Sequence, residues 1–182
     1  MESASAALWN SDFAITAARQ IASLPSIYCG PAAIAWIASV WNQSKGRTYD
    51  LATRLMNKRL FSDGPRLYHG SGPGFKPSLD HLIRRESGNE LKLSRELYFS
   101  AHSIHDVLKQ SDLPVVIRVV GTSIKDGLHY VTVYRSELTS DSNIVEFYLQ
   151  DNGLFGSHSG IHRKIFSAST RFFWGAKRIV KV

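Results

Sequence analysis

Three residues of this chain have side chains that chemistry could use together: Cys29, His129 and Asp151. A thiol attacks a carbonyl well only as its anion, and an ordinary cysteine is mostly protonated at neutral pH. A catalytic cysteine therefore needs a base beside it and surroundings that favour the thiolate. Cys29 is the one cysteine in the chain and stands in the segment Tyr28-Cys29-Gly30-Pro31-Ala32-Ala33. Proline is tolerated in a first helical turn, where its missing N–H would have no partner anyway. Ile34, Ile37, Ala38 and Trp41 then follow at i, i+3, i+4 and i+7, the period of a helix with a buried face. Cys29 is thus expected at or just before a helix N-terminus, whose unpaired N–H groups and positive dipole end favour an anion and can later hold an oxyanion. His129 opens the β-prone run Leu128 to Tyr134 after a turn at Lys125-Asp126-Gly127, a rigid position from which an imidazole can serve a thiol as base. Asp151 closes the next β-prone run, Phe147 to Gln150, where an antiparallel neighbour can orient the imidazole. Each residue also has a plain reading. A free cysteine in an alanine-rich helix packs as a small hydrophobe, a strand histidine can be a packed ring, and Asp151-Asn152-Gly153 suits a turn.

The elements expected to position these residues change character along the chain. Residues 12–22 have loosely helical spacing, and Leu24-Pro25-Ser26 breaks it, so a loop delivers Cys29. Further helices are expected over Tyr49 to Leu60, from the N-cap candidate Ser78 to Ser87, and from Ser103 to Gln110. Ser62 to Phe75 is rich in glycine and proline and reads as a long loop. After Leu113-Pro114 the period shortens. Val115 to Val120, Leu128 to Tyr134, Ile144 to Gln150 and Phe172 to Val182 are β-rich runs separated by turn residues. The expected class is α+β, with N-terminal helices packed on a C-terminal antiparallel β-sheet. Residues 1–182 are expected to form a single domain, with residues 1–12 a flexible N-terminal segment.

Composition narrows the function classes. A single cysteine excludes intramolecular disulfides, thiolate zinc sites and CxxC redox chemistry. No apolar run reaches the roughly 18 residues of a membrane span. Glu2 stands where a secretory signal would carry Lys or Arg, so cytoplasmic synthesis is expected, with any export left to a specialised secretion system. The excess of 22 Lys and Arg over 15 Asp and Glu gives a net charge of +7, which favours anionic partners in general. The cations are spread along the chain rather than massed, which reads as a basic solvated surface and makes nucleic acid a poor choice of partner. His102 and His105, three apart before Asp106, amount to half a metal site at most, and His158 and His162 read as a solvated pair on a loop. No metal and no cofactor is expected. Tyr68 to Gly74 is glycine-rich without the Gly-Lys-Ser/Thr of a phosphate loop, and no GxSxG elbow is present.

The ordered set resembles the papain-like cysteine peptidases, most closely the bacteriocin-processing peptidases and their relatives. Members of that family open the catalytic helix with Cys-Gly-Pro-Ala, matched here by Cys29-Gly30-Pro31-Ala32. Their catalytic histidine lies in a His-Tyr-Val β stretch, here His129-Tyr130-Val131, and their orienting aspartate ends the next strand, as Asp151 does. The approach from Ser103 to Val120 and the closing segment Ile165 to Gly175 also look alike, and the resemblance covers roughly residues 20–182. It implies a papain-like fold and a Cys29, His129, Asp151 catalytic set that hydrolyses a peptide or isopeptide amide through a thioester. A protein or peptide substrate follows, with an immunity or inhibitor protein as a further partner if the chain is a toxin. The family's oxyanion glutamine usually stands about six residues before the cysteine. Here the nearest is Gln20, nine residues before Cys29, which can serve that role or a structural one. Asn152 follows Asp151 where the family commonly has proline, and it competes for the orienting role. Two alternatives stay open: a secreted effector of the same fold acting as a glutamine deamidase or peptidoglycan amidase, and a non-catalytic binding module with a basic surface.

Overall fold

The computed structural model describes residues 2–5, 7–22, 29–56, 79–94, 99–120, 128–151, 160–172 and 176–182. Its helices are α1 (Asp12–Ala22), α2 (Cys29–Ser44), α3 (Leu51–Met56), α4 (Leu79–Glu86) and α5 (Ala101–Gln110). Its strands are β1 (Glu2–Ser5), β2 (Leu91–Leu93), β3 (Val115–Val120), β4 (Leu128–Leu138), β5 (Ile144–Gln150), β6 (Ile161–Ser167) and β7 (Ala176–Lys181). The class is α+β, with N-terminal helices packed on an antiparallel sheet of order β2-β7-β3-β4-β5-β6, and β1 paired to β4 off that path. No helix among the described residues is long and apolar enough to cross a membrane.

Two apolar layers enclose the sheet, because β residues alternate faces with a period of two. Val115, Ile117, Val131, Val133, Val145, Phe147 and Leu149 pack with Ala101, Ile104 and Leu108 of α5. On the other side Val116, Tyr134 and Ile179 join a cluster built on α1 and α2. Every residue of α2 from Cys29 to Asn42 is buried, as a helix apolar on all sides must be. Trp36 is its anchor: the indole N–H donates to the Ala14 carbonyl at 2.8 Å, and the ring lies 5.5 Å from that of Trp9 and 5.8 Å from that of Tyr134. The same side chain therefore locks α2 to α1 and to β4, which fixes where the first turn of α2 meets the sheet.

The N-terminal segment lies against the sheet. Residues 2–5 pair with Arg135–Leu138 of β4, and Trp9 is buried with its indole N–H donating to the Asp112 carbonyl at 2.6 Å. The physical reason lies in strand length. β4 runs past the last β3 pair, Val115↔Val133, and so leaves an open stretch of backbone that β1 fills. Helix α3 begins at Leu51, with the Asp50 carboxylate accepting from the Thr53 N–H at 3.0 Å, while 57–60 of the expected helix lie outside the described residues. Helix α5 begins two residues earlier than Ser103, where the Ser100 hydroxyl accepts from the Ser103 N–H. β4 runs four residues longer than expected, and β7 starts at Ala176 rather than Phe172. Ser78 and the expected breaks at Leu24-Pro25-Ser26, Ser62 to Phe75 and Lys125-Asp126-Gly127 lie outside the described residues.

Candidate active site

Cys29 is the first residue of α2 and is 3% exposed. Its sulfur accepts the backbone N–H of Tyr130 at 3.3 Å, a contact between residues 101 apart in sequence. The Tyr130 N–H is available because the β4 to β5 ladder ends at Thr132↔Gln150, short of this point. His129, one residue earlier on β4 and 2% exposed, brings Nε2 to 2.5 Å from Oδ1 of Asp151. That is a short, charge-assisted contact between two buried groups. Asp151 follows the last residue of β5, and its N–H donates to the Gly160 carbonyl at 3.0 Å. Gly160 has φ of +70°, and a Cβ there would meet the Ala18 carbonyl oxygen at 2.2 Å, so only glycine allows the chain before β6 to press against α1. Small residues at 18 and 22 complete that close approach, which seats the backbone beside Asp151.

The electrostatics follow from these contacts. Burial alone would pull the imidazole of His129 down, but hydrogen bonds to Asp151 and to Cys29, and the charge of both partners, push it up to about 9. His129 is therefore cationic at neutral pH. With Nε2 engaged by Asp151, Nδ1 is the other ring nitrogen, and His129 also bonds to Cys29. Because the raised value belongs to the folded state, the stability this cation contributes is complete below about pH 6.5 and is lost as pH rises through about 9. Around Cys29, the first-turn N–H groups of Cys29, Gly30 and Ala32 fall at the helix end where donors lack intrahelical partners, and Pro31 contributes none.

Gln20 is exposed on α1 and lines a cavity of about 210 Å³ with Phe13, Ser39 and Asp50. It is two residues from both Ala18 and Ala22, hence about 200° around the helix from the face that meets Gly160. Ser39 lies ten residues along α2 from Cys29, about 15 Å of helix. Asn152 and His158 lie outside the described residues.

His162 is not the solvated loop residue expected. It sits on β6 with a side chain 10% exposed, and Nε2 lies 3.7 Å from the second oxygen, Oδ2, of Asp151. Burial lowers its pKa and the Asp151 charge opposes that shift. Sequence reading missed it because β6, Ile161–Ser167, shows no apolar alternation: its basic side chains face solvent, as suits an edge strand. The remaining histidine pair separates. His105 is fully buried and shares a 2.8 Å hydrogen bond through Nδ1 with the Ser136 hydroxyl, whereas His102 faces Asp106 at 3.6 Å. Among the described residues no group of three or more His, Cys, Asp and Glu is placed to hold a metal ion.

In comparisons with known proteins, no family model and no curated sequence matches the chain.

Proposed function

We propose that the chain is a papain-like cysteine amide hydrolase in which Cys29 is the nucleophile, His129 the acid and base, and Asp151 the residue that holds the imidazole. The observation that carries this reading is the environment of His129. A histidine shared between a carboxylate at 2.5 Å and the sulfur at a helix N-terminus, and cationic at neutral pH, is the arrangement that thiol catalysis requires. The Tyr130 N–H donated to Sγ favours the same reading, because a hydrogen bond to sulfur supports the anion, while a cysteine packed only as a hydrophobe has no use for one.

In the proposed reaction the resting pair is a Cys29 thiolate beside the His129 imidazolium, the thiol proton already held on Nδ1, and the thiolate attacks the amide carbon. N–H groups in the first turn of α2 stabilise the tetrahedral oxyanion. As the C–N bond breaks, His129 returns the proton to the departing amine and leaves a thioester on Cys29. Water then attacks the thioester, giving its proton to His129, and the acid is released as the Cys29 thiolate departs and the thiolate–imidazolium pair is restored. Peptide, isopeptide and glutamine side-chain amides all fit these steps, and the peptide amide is the first choice. The binding-module alternative draws on the burial of Cys29 and His129 and on the net charge of +7.

The proposed role of His129 sets a pH dependence. The amine leaves only with a proton from the imidazolium, so kcat/KM for a panel of peptidyl-coumarin amides is expected to fall as pH rises through about 9. A profile that keeps climbing beyond pH 9 would remove His129 from the acid role.

A further inference from the structure

A second cavity, of about 430 Å³, opens between α1 and the β4, β5 and β6 strands. Its size falls within the usual range for small-molecule sites. Its walls divide by chemistry. Tyr134, Tyr148 and Ile161 supply flat and apolar surface, and Arg19, Arg163 and His162 supply cationic or potentially cationic groups. Among the described residues no carboxylate lines it. Among the described residues no acid pairs with Arg19, which is exposed. Arg163, two-thirds exposed, faces Glu146 only at 3.8 Å, a weak pairing that an anion can displace. Glu137 is occupied by Arg135 and by the Tyr148 hydroxyl at 3.2 Å, and Asp151, behind His162, by His129. The guanidinium of Arg135 lies 4.4 Å from the Tyr148 ring centre, which fixes that ring as a wall.

We propose that this cavity binds a small aromatic anion, its carboxylate or phosphate held between Arg19 and Arg163 and its ring laid against Tyr134, Tyr148 and Ile161. Arginine suits such a group because its planar fork matches both oxyanions with two hydrogen bonds. The site does not depend on Cys29 being a nucleophile. It does border the candidate active site, since His162 forms part of its wall and lies beside the oxygen of Asp151 that His129 does not use.

The test uses phenyl phosphate as the probe and the full chain as the protein, with melting temperature and the imidazole NMR signals of His162 as readouts. A saturable rise of a few degrees and a concentration-dependent shift of the His162 signals are expected. In the Arg19→Ala, Arg163→Ala double variant the apparent affinity should weaken at least tenfold, and both exposed positions tolerate the change without unfolding. Benzoate should reproduce the effect if the site takes carboxylates as well as phosphates. An equal rise with inorganic phosphate or with phenol would overturn the two-part site, and so would an undiminished rise in the double variant or no saturable response to either aromatic anion.

Discussion

Cys29→Ala is expected to abolish amide hydrolysis, with a loss of about 10⁵-fold or more, while the protein still folds. The substitution deletes one sulfur from a helix whose other buried residues, including Ile34, Trp36 and Ile37, remain in place, so a modest cost of about 1–2 kcal/mol is expected. His129→Ala should remove activity to a similar extent, because residues that act as a unit are not additive. The double variant should then be no worse than either single one. Steady-state rates on the peptidyl-coumarin panel, with circular dichroism to confirm folding, check both statements. Retention of more than a tenth of the activity in either single variant would contradict the proposed nucleophile and base.

The second large effect concerns Asp151. Removing this carboxylate leaves a buried cation at His129 without its partner, which typically costs about 3–5 kcal/mol. Asp151→Ala is therefore expected to destabilise the fold by that amount near pH 6 and by less above pH 9, where His129 is neutral in the wild type. Turnover should fall by about 10²–10⁴-fold as the imidazole loses its orientation. Asp151→Asn keeps a hydrogen-bond acceptor beside Nε2 and should recover part of the rate. Asn152→Ala should leave the rate within about threefold of wild type. Urea unfolding at the two pH values, together with rates, distinguishes the roles, and a larger rate loss in Asn152→Ala than in Asp151→Ala would transfer the orienting role.

The sequence revealed the parts of this site that depend on local pattern. The period of Ile34, Ile37, Ala38 and Trp41 placed Cys29 at a helix start, and the β-prone runs around His129 and Asp151 put both at strand ends that meet. What was not legible depends on tertiary partners. The hydrogen bond to Sγ comes from the backbone of Tyr130, and a main-chain N–H has no sequence signature. β1 exists because β4 outruns β3, a matter of strand length that composition does not encode. His162 sits on an edge strand whose pattern is basic rather than alternating, and its proximity to Asp151 depends on the tight approach at Gly160.

The central claim is that Cys29 is a nucleophile despite being 3% exposed, and the rate of its alkylation by iodoacetamide in the folded protein tests it most directly. If the claim holds, the wild type is alkylated readily near pH 6, where an ordinary thiol is nearly inert, and His129→Ala shifts that reactivity toward pH 8.5. If Cys29 stays unlabelled until the protein unfolds, or reacts like an ordinary thiol in both proteins, the buried sulfur is packing and the catalytic account fails.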